Sequence, residues 1–277
     1  MERIAVYTYC TNNITGKQYQ DIKYNDVNVD YFMFVDDKGE HENFRNGWTC
    51  INIQPKKDYS INDMNKWYKW HPQLVIPNAG LYDYIIYMDS KVEIMQNPNV
   101  IIDSIKNNIP LGVCCHLYNY RAPSAMDNAS CLYKHIDYLI NFPAGVPEKL
   151  KEWKNKLKSM GFPQNQKTAE TAVVITDMHN SNGVELESEI FEMYKSTGTY
   201  RDQVVVPIVL RNKNYSIEKF CTLGNYLTYK DEIGSSFFRN NYKFNINTRI
   251  NSKPTKTASK PIKSHNLKNS FIKFYSH

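Results

Sequence analysis

Several features that would assign this chain to a familiar class are missing. The six cysteines include no Cys-x-x-Cys pair, and their spacing fits neither a zinc site nor a disulfide framework. No apolar run is long enough to span a bilayer, and the N-terminus enters a strand-like segment without the apolar region of a signal peptide. There is also no internal repeat. We therefore expect reduced thiols and a soluble, intracellular protein.

Acidic residues are absent from the last part of the chain. Residues 251–277 hold six lysines and no aspartate or glutamate. Removing these six from the 34 lysines and arginines leaves 28, which balances the 28 acidic residues. The formal net charge of +6 therefore belongs to the tail, and affinity for nucleic acid or an anionic membrane would have to come from the tail.

Strand-like and helical segments alternate along most of the chain, and a hydrophobic content of 42% supports a core. Strands are predicted at residues 3–8, 31–35, 49–53, 84–88, 111–115 and 172–176. Helices are predicted at residues 98–106, 126–140 and 147–160. The alternation predicts a layered α/β domain over residues 1–235, followed by a basic, irregular tail over residues 236–277 that docks on the domain or extends from it.

Asp89 follows directly after a strand that is apolar enough to be buried. Ligands of open α/β sheets bind beyond the carboxyl ends of the strands, so an acid at this position points to a functional site. With Ser90 beside it, the carboxylate could hold a divalent cation, although an aspartate here could also simply begin a turn. Asp36 ends an earlier strand and Asp202 lies far downstream, and we expect the three acids to outline one polar site.

Four blocks of residues carry a resemblance to a known family. In order they are Tyr68-Lys69-Trp70-His71-Pro72, Asp89-Ser90, Glu170-Thr171 with the following strand to Met178-His179-Asn180, and Arg201-Asp202-Gln203. In order and rough spacing, residues 1–215 resemble a family of predicted hexosyltransferases of plants, bacteria and large algal viruses. The resemblance implies the GT-A glycosyltransferase fold, a Rossmann-like, mostly parallel mixed sheet flanked by helices in a single domain with a C-terminal extension.

The resemblance also implies a metal-dependent, inverting glycosyltransferase. Such an enzyme would take a nucleoside-diphosphate sugar, for which uridine diphosphate is our first guess, and a glycan acceptor. Asp89 would hold Mn²⁺ or Mg²⁺ on the diphosphate, with His179 as a second ligand. The usual Asp-x-Asp signature is incomplete, because Lys91 replaces its second acid. Either one carboxylate suffices with help from elsewhere, or Lys91 takes over part of the electrostatic role.

Catalytic and donor-binding roles follow from the same resemblance. Asp202 is expected to be the general base for the acceptor hydroxyl, and Glu170 could bind acceptor hydroxyls or be the base instead. The expected donor-binding residues are Thr8, Tyr9, Asp36, Lys69, Ser90, Lys91 and Arg121. Residues 204–209 read as a strand by propensity, whereas the resemblance implies a helix, and we side with the helix.

Two alternatives stay open. The chain could be a nucleotide-sugar hydrolase or a non-catalytic nucleotide-sugar binding module, because its metal signature is incomplete. It could also bind nucleic acid or a membrane surface through the tail, but no helix-turn-helix, zinc or RNA-binding aromatic signature supports that reading, and nucleic acid is not our expected partner. We expect a location in the cytoplasm, which would be the host cytoplasm for a viral protein.

Overall fold

A seven-stranded sheet forms the centre of the part of the chain that the structure describes. The structure, a computed structural model, describes residues 1–10, 22–35, 44–45, 47–54, 56–117, 132–141, 147–199, 201–223, 227–229 and 237–240. Within these ranges the strands are β1 (Ile4–Cys10), β2 (Val29–Val35), β3 (Phe44–Arg45), β4 (Trp48–Asn52), β5 (Tyr84–Met88), β6 (Val92–Ile94), β7 (Val113–Leu117), β8 (Ala169–Asp177), β9 (Leu227–Tyr229) and β10 (Phe238–Asn240). The helices are α1 (Ile61–Trp70), α2 (Pro72–Val75), α3 (Pro98–Ile105), α4 (Leu132–Ile140), α5 (Pro147–Ser159), α6 (Ser181–Thr197), α7 (Val206–Asn212) and α8 (Ile217–Phe220).

The order of the strands makes the sheet mixed and mostly parallel. The order is β3-β4-β2-β1-β5-β8-β7. Strands β4, β2, β1 and β5 are parallel neighbours, whereas β3 and β8 are antiparallel to their neighbours. Because β7 is antiparallel to β8, it runs in the same direction as β5. We call the edge at which β1, β2 and β5 end the carboxyl edge.

Both faces of the sheet are covered, which makes this an α/β fold. Strand β1 is buried along its whole length, as expected for a parallel strand between two layers. Its alternate side chains enter two cores, with Tyr7 among the helices α1 and α4 to α8 on one face. On the other face, Val6 packs with α3 and with strands β6 and β10 of the small sheet β6-β10-β9. The predicted α/β class with a mostly parallel sheet is confirmed.

The predicted strands and helices are present where the structure describes those residues, and their ends shift by a few residues. Residues 84–88 form β5 as predicted, and β8 extends the prediction of residues 172–176 at both ends. Of the helix predicted at residues 126–140, the part from Leu132 onward is α4, and the rest lies outside the described residues. The conflict at residues 204–209 is resolved in favour of a helix, since a short 3-10 helix (Asp202–Val204) leads into α7.

Part of the predicted tail belongs to the small sheet. Strand β10 pairs antiparallel with β6, and its Phe238 is fully buried. Residues 241–277 lie outside the described residues, so the domain boundary and the role of the lysines remain predictions. No helix among the described residues is both long and apolar enough to cross a membrane.

Candidate active site

Asp89 lies at the carboxyl edge because β5 ends one residue before it. Strand β8 is antiparallel to β5 and therefore begins at the same edge, which brings Glu170 and Thr171 next to Asp89. The Asp89 amide donates a hydrogen bond to the Ala172 carbonyl at 2.8 Å and ties the two segments together. An acid that follows one strand and an acid that begins another thus meet at one edge.

Helix α1 brings cations to this edge. Lys66, Lys69 and Trp70 have the spacing i, i+3 and i+4, so they share one face of α1. Lys69 and Trp70 are fully buried, while 13% of the Lys66 side chain is exposed. The same face of one helix therefore supplies two ammonium groups and an indole N–H.

Both ends of α1 are held in place. Ser60 and Asp63 form a reciprocal capping box at the start of the helix. At its end, the Tyr7 hydroxyl donates to the carbonyl of Tyr68 at 2.8 Å and also lies 3.1 Å from that of Lys69. Because Tyr7 belongs to β1, the C-terminal turn of α1 is fixed against the central strand.

Five charged side chains form an alternating row, which we call the charged row: Lys66, Asp202, Lys69, Asp89 and Lys91. The Lys69 Nζ lies 3.4 Å from Asp202 Oδ2 and 3.3 Å from Asp89 Oδ1, so it joins the two acids. Lys66 Nζ lies 3.0 Å from the other oxygen of Asp202. Lys91 Nζ lies 3.7 Å from the other oxygen of Asp89. The row therefore has a lysine at each end and one positive charge in excess.

Asp202 is the most tightly held member of the row. Its side chain is 1% exposed, and its Oδ2 accepts hydrogen bonds from Trp70 Nε1 at 3.1 Å and Thr171 Oγ1 at 3.0 Å. Burial alone would raise the pKa of this carboxyl, but Lys66 and Lys69 outweigh it and hold the pKa well below its ordinary value. An ionised, enclosed carboxylate of low basicity is a poor proton acceptor, so this arrangement does not favour the general-base role expected for Asp202.

The two lysines of α1 differ in their protonation. Burial lowers the pKa of Lys66 to about 8, even though Asp202 acts in the opposite direction. Burial would also lower the pKa of Lys69, but Asp202 and Asp89 more than offset this effect and raise it above the ordinary value. Lys69 is therefore a permanent cation that neutralises two acids, and the donor contact expected of it is closed off by its burial.

Glu170 stands beside the row with different properties. Its Oε1 accepts hydrogen bonds from the Ala172 amide at 3.1 Å and from Gln203 Nε2 at 3.4 Å. Among the described residues, no donor hydrogen-bonds to Oε2. Burial, with a further contribution from Asp89, raises the pKa of Glu170 despite the opposing effect of Lys91. A half-buried carboxylate with a raised pKa is the better proton acceptor at this edge.

The other expected donor-binding residues fall into three groups. Thr8 and Tyr9 lie in the last part of β1, just before Cys10 at the carboxyl edge, but both are 2% exposed, and the Tyr9 ring stacks on Tyr68 with centroids 5.2 Å apart. Their side chains are therefore closed to a donor in this arrangement. Ser90 and Lys91 lie in the turn after β5, and 46% of the Lys91 side chain is exposed. Two more, Asp36 and Arg121, lie outside the described residues.

His179 lies at the opposite edge of the sheet. It follows the end of β8, and because β8 is antiparallel to β5, this end adjoins the start of β5. The His179 Nε2 lies 2.7 Å from Asp83 Oδ1, and about six residues of extended chain, or about 20 Å, separate Asp83 from Asp89. A metal site shared by His179 and Asp89 is therefore ruled out by the direction of β8, and this expectation is wrong.

The described residues do not fit the Mn²⁺ or Mg²⁺ site that the resemblance implies. Asp89 and Asp202 each have two ammonium groups within 4 Å. At an effective dielectric constant of about 20, a divalent cation and an ammonium about 4 Å apart repel each other by about 8 kcal/mol. Within the described ranges, no group of three histidine, cysteine, aspartate or glutamate side chains could hold a metal ion.

Sequence reasoning missed the roles of three members of this site. Lys66 was not singled out, although its spacing from Lys69 and Trp70 marks a shared helix face. Tyr87, whose hydroxyl donates to Asp89 Oδ1 at 2.9 Å, resembled an ordinary strand residue. Thr171 belongs to the block Glu170-Thr171 that carries the resemblance, but no role was expected of it, and its carbonyl accepts a hydrogen bond from Lys69 Nζ at 2.8 Å. No local pattern predicts the contacts of Tyr87 and Thr171, because both contacts depend on how distant segments pack.

Comparison with known proteins finds a similar solved structure at low sequence identity. A solved structure titled as the apo form of the bifunctional glycosyltransferase WbbM is similar to this chain, with a TM-score of 0.49 and 11% identity. The similarity covers 88% of this chain and 46% of that one, so the chain spans less than half the length of that protein. No protein-family profile and no curated protein matches the chain.

Proposed function

We propose that this chain is a glycosyltransferase that moves a sugar from a nucleoside-diphosphate donor, with uridine diphosphate as the first candidate, to a hydroxyl group of a glycan. The observation that carries the proposal is the meeting of the charged row with Glu170 at the carboxyl edge. An open α/β sheet binds its ligand at that edge, and the spaced blocks that resemble predicted hexosyltransferases supply Asp89, Glu170 and Asp202.

The proposed reaction is a single displacement. The acceptor hydroxyl attacks the anomeric carbon, the bond from this carbon to the diphosphate oxygen breaks, and the diphosphate leaves with the electron pair. The configuration at the anomeric carbon is therefore inverted. Negative charge grows on the leaving group, so fixed positive charge at the edge lowers the barrier.

Glu170 is the proposed general base in this step. It accepts the proton of the acceptor hydroxyl through Oε2 while the Ala172 amide and Gln203 hold its Oε1. Asp202 does not accept the proton in this proposal. Its role is to hold Lys66 and Lys69 in position. The sequence-based expectation favoured Asp202 as the base and kept Glu170 as the alternative, and this proposal adopts the alternative.

A donor screen tests the proposal. Binding at about 100 times the dissociation constant stabilises a protein by about 2.7 kcal/mol, which corresponds to a rise in melting temperature of about 5–10 °C. We expect such a rise with one nucleoside-diphosphate sugar, and transfer of its sugar when glycan acceptors are added. Release of free sugar without transfer to any acceptor would favour a hydrolase, and a panel of donors without any stabilisation would argue against a nucleotide-sugar protein altogether.

The role of Glu170 is tested by Glu170→Gln. We expect kcat to fall by about 10²- to 10⁴-fold while the donor KM changes less than about twofold, because the variant keeps its shape but cannot take a proton. In the unsubstituted protein kcat should rise with pH through a pKa above the ordinary glutamate value of about 4.3. Glu152→Gln, at an exposed position on α5, is the matched control. Retention of more than a tenth of kcat in Glu170→Gln would remove Glu170 as the base.

A further inference from the structure

We propose that Lys66 and Lys91, the two ends of the charged row, bind the diphosphate of the donor directly and take the place of a divalent metal ion. This inference rests on the proposed function and deepens it by assigning the diphosphate subsite. The ligand chemistry is a pyrophosphate group, whose two phosphates each carry charge for one ammonium group.

The first argument is the distribution of charge along the row. The central cation, Lys69, is enclosed and divides its interaction between Asp202 and Asp89 at 3.4 and 3.3 Å. Each terminal lysine pairs with one oxygen of an acid that Lys69 already neutralises in part. The ends of the row are the parts that water reaches, with 13% of the Lys66 side chain and 46% of the Lys91 side chain exposed, so a ligand that enters from solvent meets these two ammonium groups first.

The second argument is that the position of Lys91 is structurally defined. Asp89, Ser90 and Lys91 form a turn closed by a 2.8 Å hydrogen bond from the Val92 amide to the Asp89 carbonyl. Strand β6 begins at Val92 and pairs with β10, so the turn is anchored on both sides. The backbone of Lys91 is thereby held beside the end of β5, where the donor of an α/β enzyme lies.

The third argument is that a metal ion and these lysines compete for the same acids. Every acidic member of the row already has ammonium groups on both of its oxygens. The third position of the Asp89-Ser90-Lys91 turn, where a second acid would complete a metal signature, carries a cation. Positive charge is therefore built into the chain at the place where a bound metal would supply it.

The test measures the binding of inorganic pyrophosphate to the full chain by calorimetry. The buffer contains about 0.15 M salt, which is close to physiological ionic strength. We expect pyrophosphate to bind in the presence of a chelator with an affinity within about threefold of that measured with Mn²⁺. Lys91→Met should weaken binding at least about tenfold, or about 1.4 kcal/mol, whereas Lys91→Arg keeps the charge and most of the affinity. Lys158→Met, on the exposed side of α5, removes one charge elsewhere and should change nothing.

The proposal is overturned if the unsubstituted protein binds pyrophosphate only when Mn²⁺ is present, if it fails to bind under both conditions, or if Lys91→Met binds as tightly as the unsubstituted protein. The outcomes also separate this inference from the proposed function. If pyrophosphate binds without metal but no donor is turned over, the lysine site for the anion is supported and the proposed transferase function is rejected. Sugar transfer that requires Mn²⁺ would retain the transferase and reject the lysine site.

Discussion

Replacing Lys69 with methionine should destabilise the protein strongly, because it removes the cation at the centre of the charged row. Breaking a buried ion pair by removing one partner costs about 3–5 kcal/mol. Asp202, at 1% exposure, keeps Lys66 at 3.0 Å, and Asp89 keeps Lys91 at 3.7 Å and has 25% of its side chain exposed. Because both acids retain one ammonium group, we expect the lower end of the range, about 3 kcal/mol, or a fall in melting temperature of about 6–12 °C.

Urea denaturation of Lys69→Met at pH 7 measures this loss, with Lys158→Met as a control that should stay within about 0.5 kcal/mol of the unsubstituted protein. Asp202 has a depressed pKa, so its favourable pairing is present above the unfolded pKa of about 3.9 and fades as the pH falls through the folded pKa. The deficit of Lys69→Met should therefore shrink in acid. The double variant with Asp202→Asn should lose about 1–3 kcal/mol less than the sum of the single losses. A loss of less than about 1 kcal/mol in Lys69→Met would refute the central role of Lys69.

Two further predictions concern the packing behind the site. Glu187 is fully buried, burial raises its pKa to about 8, and its Oε1 accepts a hydrogen bond from Thr176 at 2.7 Å. The folded chain favours the protonated form of Glu187, so its contribution to stability is full below about pH 4.3 and is lost as the pH rises through about 8. Glu187→Gln should therefore gain stability relative to the unsubstituted protein by about 1 kcal/mol per pH unit across this window, as measured by urea denaturation. A stability difference that does not change with pH would contradict the burial argument. Gly183→Ala would place a Cβ 2.4 Å from the Gly112 carbonyl oxygen, so we expect thermal denaturation to show a loss of stability of about 1–3 kcal/mol. Gly80→Ala is the control and should be nearly neutral, because no atom lies within 4 Å of the added Cβ. Equal melting temperatures for the two variants would show that α6 can move away from β7.

The periodic elements of the fold were predictable because their signals are local. Apolar runs bounded by polar residues predicted β1, β2, β5 and β8, and apolar spacing predicted α4. Pro98 in the first turn indicated α3, and Gly161 after the last turn indicated α5. The helix α7 shows the limit of propensity. Its valine-rich sequence favours a strand, but Pro207 stands in the first turn and residues 206–210 are buried in the helical side of the core, so tertiary packing decided its conformation.

The assembly of the site was less predictable. Lys69 and Asp202 are separated by more than a hundred residues, and their contact depends on the packing of α1 against the sheet. Glu170 lies in the first residues of β8 and His179 lies just beyond its last residue, and both could be proposed for the site from the sequence alone. Only Glu170 can reach Asp89, because β8 runs from one edge of the sheet to the other and carries His179 to the far edge.

The sequence by itself determined that Asp89 follows a buried strand and that Lys91 stands two residues after it, because both facts depend only on the order of neighbouring residues. The tertiary structure alone decided which distant groups meet there. The antiparallel direction of β8 brings Glu170 to the carboxyl edge and carries His179 away from it, and the docking of α1 places Lys66 and Lys69 on Asp202. Strand direction and helix docking are set by the sum of many long-range contacts, and no local pattern encodes that sum.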